Sequence, residues 1–105
     1  MDRLDALMTA AEPHRDPDLT LARLARRLGV PAKQLSTAVN RGTGENVSRY
    51  VNAARVRAAQ DALRAGEGVT EAMLAAGFAT KSNFNREFRR VAGSTPSEWR
   101  SRPDR

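Results

Sequence analysis

Residues 77–93 read GFATKSNFNREFRRVAG and set a pair of phenylalanines among a dense group of hydrogen-bond donors. Phe84 and Phe88 stand four apart, about one helical turn, among Lys81, Ser82, Asn83, Asn85, Arg86, Arg89 and Arg90. At about 100° per residue, the face opposite the two rings carries Ser82, Asn85, Arg86 and Arg89. Asn can pair bidentately with adenine, and Arg with guanine O6 and N7. The flanking Lys81, Asn83 and Arg90 suit phosphate oxygens. Such a helix has an apolar anchor on one side and a donor-rich edge for a groove on the other.

Enzymatic chemistry finds little to build on. His14 is the single histidine, set beside Pro13 in EPHRDPD, and is expected in a loop and exposed. A His-based nucleophile or metal centre therefore has no second partner. Cysteine is absent, so there is neither a thiolate site nor a disulfide. No phosphate-cradling Gly-rich loop is present. Asp61, Glu67 and Glu71 are expected to form a solvated acidic edge. The expectation is a protein that is not an enzyme, with no catalytic residue, metal, cofactor or small-molecule ligand in this domain.

The chain has 105 residues and a net charge of +6, enough for one domain with a modest core. Its charge is distributed in blocks. Residues 1–18 hold two Arg against five acids, whereas residues 19–60 hold eight basic residues against Glu45 alone. Residues 61–80 are again net acidic and 81–105 net basic. Arginine-rich blocks of this kind attract a polyanion. Apolar runs are far too short to span a membrane, and Leu4, Leu7 and Met8 are interleaved with Asp2, Arg3 and Asp5 rather than forming a signal peptide. A cytoplasmic location is expected.

Helical periodicity accounts for the whole chain. Leu4, Leu7, Met8 and Ala11 share one stripe, ended by Pro13. Thr20 is placed to cap LARLARRLG, whose Leu21, Leu24, Ala25 and Leu28 line one side. Gly29 stops that helix and Pro31 opens the next, AKQLSTAVN, with Leu35, Ala38 and Val39 inward. A longer helix is expected from about Val47 to Ala65, with Val47, Tyr50, Val51, Ala54, Ala58 and Leu63 inward, ended by Gly66 and Gly68. VTEAMLAAGF and KSNFNREFRRVAG form another pair. Thr95-Pro96-Ser97-Glu98 is a capping box with proline at the first helical position, opening a last helix through Trp99. The predicted class is all-α, about seven short helices.

A repeat organises these elements. Leu21, Leu24, Ala25, Leu28 and Gly29 match Val69, Ala72, Met73, Ala76 and Gly77, each 48 residues later. At an offset of 49, Leu35, Val39 and Gly44 match Phe84, Phe88 and Gly93, and GENVSRY continues against GSTPSEW. Each half reads helix, tight turn at glycine, second helix, which is the helix-turn-helix pattern. In the first copy the face opposite Leu35 and Val39 carries Lys33, Ser36, Thr37 and Asn40, followed by Arg41. Base-edge candidates are thus Lys33, Ser36, Thr37, Asn40, Ser82, Asn85 and Arg86, and phosphate candidates are Arg41, Lys81, Arg89 and Arg90. The only two lysines, Lys33 and Lys81, each stand four residues after a turn glycine.

The predicted arrangement is a single DNA-binding domain over 1–105. A first helix-turn-helix unit with its N-terminal helix covers 1–48, a linker helix 47–65 and a second unit 67–102. A linker of that length spans roughly 28 Å at 1.5 Å per residue, against about 34 Å between successive major-groove faces. Two other readings use the same charge: an architectural DNA binder without a preferred site, and a helical module for an acidic protein partner.

RVRAAQDAL (55–63) and GFATKSNFNREFRRVAGSTPSEWR (77–100) resemble the DNA-binding domain of the AraC/XylS family of bacterial transcription regulators. The likeness runs over about residues 19–102. It implies two helix-turn-helix units, monomeric insertion into adjacent major grooves of double-stranded DNA, and control of promoters, often by activation through RNA polymerase. By position it carries base reading to Lys33, Ser36, Thr37, Ser82, Asn83 and Arg86. DPDLTLARLARRLGVPAKQLSTAVNRGTGENVSRYVNAARV (16–56) is similar to a subset in which this domain follows a multi-span membrane portion, so this chain would be the cytoplasmic end of a larger sensor. Four positions depart from the pattern: Met73 where alanine is usual, Ala72 where a larger aliphatic is usual, Pro31 in place of a hydroxyl cap, and Ala54 for a commoner aromatic.

Overall fold

The computed structural model describes residues 2–102, which form seven α-helices and one 3-10 turn, with no strand among them. In chain order these are α1 (Asp2–Ala11), the 3-10 turn (Pro13–Arg15), α2 (Leu21–Leu28), α3 (Ala32–Thr43), α4 (Val47–Arg64), α5 (Val69–Ala76), α6 (Lys81–Ala92) and α7 (Pro96–Ser101). The all-α class and the two helix-turn-helix pairs around a long helix are as predicted. The chain divides into two compact units, Met1–Val51 and Asn52–Arg105, with the first turn of α4 in one and its remainder in the other. Among the described residues no helix is long and apolar enough to cross a membrane.

In the first unit, α2 starts where Thr20 Oγ1 accepts the Arg23 N–H at 3.1 Å. It stops at Gly29, whose φ of 71° lies in the left-handed region. A side chain there would cost about 1–2 kcal/mol. Leu24, Leu28, Leu35 and Val39 are buried, so the stripes of α2 and α3 face inward as their spacing requires. Leu4 and Met8 bury α1. Two polar contacts fasten that helix: Arg3 donates from its guanidinium to the Leu28 carbonyl at the C-terminus of α2, and Tyr50 Oη donates to Asp5 Oδ1 at 3.1 Å. A cation at a helix C-terminus is favoured by the helix dipole.

His14 departs from expectation: it is buried, not exposed. Glu12 adopts a left-handed φ of 49° after α1. The chain then turns sharply, and the 3-10 turn buries both Pro13 and His14. Proline stopped the helix as predicted, but the compact turn that follows it was not visible in a polar, loop-like stretch.

α4 is capped by Asn46, whose Oδ1 accepts the Arg49 N–H at 2.8 Å. Its buried surface is wider than a single stripe. Val56 and Ala59 are fully buried beside the predicted Ala54, Ala58 and Leu63, while Tyr50 is half-buried. Asn52 and Arg55 are also buried, Arg55 donating to Asn52 Oδ1 at 3.0 Å.

The second unit packs Val56, Ala59 and Leu63 of α4 against Ala72 and Ala76 of α5, Phe78, Phe84 and Phe88, and Trp99 of α7. The rings form a continuous series. Phe78–Phe84, Phe84–Phe88 and Phe88–Trp99 centroids lie 5.1, 5.7 and 6.0 Å apart, the last two edge-to-face. Ala72 is fully buried and Met73 packs half-buried at the edge of this cluster, so the larger of the two side chains lies where there is room. Gly77 repeats the role of Gly29 with φ 98°. The predicted capping box is formed: Glu98 N–H donates to Thr95 Oγ1 at 3.1 Å and Thr95 N–H to Glu98 Oε1 at 3.0 Å.

Candidate nucleic-acid interface

α3 turns Leu35 and Val39 inward, which leaves Lys33, Thr37, Asn40 and Arg41 exposed and Ser36 half-buried. Lys33, Thr37 and Arg41, spaced four apart, line a shallow groove together with Pro31, Gln34 and Ala38. Gln34 was missed by the sequence reading. It is exposed one residue round from Lys33, and its amide carries both donors and an acceptor. Pro31 occupies the cap position without a side-chain hydrogen bond.

α6 starts at Thr80, whose Oγ1 accepts the Asn83 N–H at 3.2 Å. Phe84 and Phe88 are buried, fixing the rotation of the helix. Lys81, Ser82, Asn85, Arg86 and Arg89 are exposed on the other side, as predicted. Within this unit a shallow groove is lined by Lys81, Asn85, Arg86 and Arg89 from α6, Val69 and Thr70 from the start of α5, and Thr95, Pro96 and Ser97 from the start of α7. Thr70 and Ser97 bring exposed hydroxyls to that groove. The signal for Ser97 lay in the repeat, where it matches Ser48; Thr70 matches Ala22 and had none.

The cap pattern is crossed between the units. Thr20 caps α2 and Pro31 leaves α3 without a side-chain cap, whereas Gly68 leaves α5 without one and Thr80 caps α6.

Two candidates stand differently from the simple facial reading. Asn83 is half-buried, and its Oδ1 accepts from Arg86 at 2.7 Å. Arg90 donates through Nε and NH2 to Glu87 Oε1, at 3.2 and 2.9 Å. Glu87 itself is buried, a residue the sequence reading passed over. With four basic residues against that one acid, α6 keeps a cationic surface suited to a phosphate backbone.

Helix-turn-helix geometry of this kind defines a class of DNA-binding domain, and comparison with known proteins gives the family. A family model described as a helix-turn-helix domain matches residues 24–102. The chain is 34% identical over 91 residues to the "Probable thc operon regulatory protein" of Rhodococcus erythropolis, covering 83% of this chain and 27% of that protein. It is 30% identical over 103 residues to the HTH-type transcriptional activator RhaS of Escherichia fergusonii, covering 97% of this chain and 37% of that protein. Its fold matches the crystal structure of a transcriptional regulator with an AraC-type DNA-binding domain from Chromobacterium violaceum, with TM-score 0.79, 24% identity, and coverage of 97% and 92% of the two chains. This chain belongs to the AraC-type helix-turn-helix family of DNA-binding domains. Its fold and family support binding to double-stranded DNA, and it spans 27% and 37% of the length of these two curated relatives.

Proposed function

We propose that this domain reads a specific duplex sequence with both units, α3 and α6 entering successive major-groove turns, and that the protein containing it is a bacterial transcription activator. One observation carries the reading: each second helix buries a two-residue apolar anchor and exposes a polar face free of acids. Lys33, Ser36, Thr37 and Asn40 face bases from α3, and Ser82, Asn85 and Arg86 from α6. Arg41, Lys81 and Arg89 contact phosphates. α4 is an 18-residue helix, about 27 Å long at 1.5 Å per residue, a length suited to spacing two reading helices along one duplex. The activator role draws on the similarity to RhaS. It would involve contact with RNA polymerase and an additional sensor portion, membrane-bound or soluble, outside this chain, with the domain itself cytoplasmic.

The test compares affinity for a duplex obtained by in-vitro selection with affinity for random duplex across a salt series. Sequence reading requires a preference of about 10³-fold or more at physiological salt. Equal affinities at every salt concentration would leave an architectural binder. No binding at low salt would leave the protein-partner reading.

A further inference from the structure

Four side chains on one flank of α6 are joined in a way that separate base-reading roles do not explain. Arg86 donates from NH2 to Asn83 Oδ1 at 2.7 Å, and its Nε faces Glu87 Oε2 at 3.8 Å. Glu87 Oε1 in turn accepts twice from Arg90. Exposure falls steeply across the group: the Arg86 side chain is 70% exposed, that of Arg90 27% and that of Glu87 10%. Asn83 and Arg86, and Glu87 and Arg90, stand three apart and so meet along the helix surface, while Arg86 and Glu87 are neighbours in sequence.

The consequence lies in how a guanidinium divides. Its five N–H groups form a rigid fork. Nε–H and the nearer hydrogen of NH2 make a side edge; NH1 and the outer hydrogen of NH2 make an end edge. Asn83 accepts from Nη2, the nitrogen common to both edges, and Glu87 lies near Nε at ion-pair distance. The guanidinium, 70% exposed, keeps Nη1 and one Nη2 hydrogen for a ligand, and two such donors suit O6 and N7 of one guanine. Glu87 is held in its turn by Arg90, which supplies two hydrogen bonds to its buried carboxylate.

We infer that Asn83 is a positioning residue for Arg86, that Glu87 anchors both arginines, and that Asn83 and Arg86 together read one guanine rather than two separate bases. Arg90 then acts on Glu87 and not as a uniform phosphate contact. The inference rests on the sequence-specific reading proposed above.

The experiment measures competition binding against the selected duplex and every single-pair change in it, for the wild-type chain, Asn83→Ala, Asn83→Asp, Arg86→Ala and Asn83→Ala/Arg86→Ala. Arg86→Ala should flatten preference at one G·C pair by on the order of tenfold or more. Asn83→Ala should weaken preference at that same pair by roughly two- to tenfold, as contacting residues couple, and should add nothing in the Arg86→Ala background. Asn83→Asp keeps the acceptor oxygen and loses the donors, so preference at the G·C pair survives while affinity for all duplexes falls. If Asn83→Asp or Asn83→Ala instead alters a different pair, or if the two alanine losses add, the inference is overturned. A wild-type chain without any preferred duplex would overturn the proposed function first. A chain with a preferred duplex but independent Asn83 and Arg86 effects overturns only the coupling.

Discussion

Replacing Phe88 with leucine isolates what stacked rings contribute to the stability of α6. Phe88 is fully buried and touches two aromatic neighbours edge-to-face, Phe84 at 5.7 Å and Trp99 at 6.0 Å. Leucine retains most of the apolar burial but none of the ring geometry. Each such pair contributes about 0.5–1.5 kcal/mol beyond its area, so the expected loss is about 1–3 kcal/mol. That is a large share of a domain stability of about 5–15 kcal/mol. Trp99 is the only tryptophan and lies against Phe88, so its fluorescence reports this unit directly. With a urea slope of about 1–3 kcal/mol/M for a small domain, the midpoint should fall by roughly 1 M with the slope unchanged. A midpoint shift below about 0.3 M at constant slope would refute a stabilising role for the ring series, leaving only apolar volume.

Ser94 buries its hydroxyl with no hydrogen-bond partner among the described residues, so Ser94→Ala should be neutral or stabilising by up to about 1 kcal/mol in the same urea titration; a clear loss would mean that the hydroxyl is satisfied. The Glu98 carboxyl is held below its ordinary 4.5 chiefly by the Thr95 N–H and then by the Thr95 hydroxyl contact. Its folded value is lower than its unfolded one, so the stability it contributes is present above 4.5 and is lost as pH falls through the folded value. Thermal melts from pH 3 to 7 should show a shallower acid decline in Glu98→Gln than in wild type, and identical declines would contradict this.

Much of the fold could be read from periodicity, because apolar spacing and terminating glycines act locally. Leu35 and Val39, or Phe84 and Phe88, fix which face of a helix turns inward, and Gly29 and Gly77 can take a backbone conformation that costs other residues energy. The two-fold repeat was legible for the same reason. His14 was not, since its burial follows from a left-handed Glu12 that no helical pattern announces. The broad burial of α4, including Asn52 and Arg55, depends on elements packing from several directions, and a single-stripe reading underestimates it. At the interface, opposition to the anchors identified the exposed residues of α6. It could not reveal that Asn83 and Glu87 are committed to arginines, because rotamers and ion pairs are chosen in three dimensions.

Hydroxyl-radical footprinting of the chain on its selected duplex tests the central claim most directly. Two protected windows on one face, about 10 base pairs apart, are expected if both units read the duplex. Protection of a single groove segment at saturating protein would contradict it.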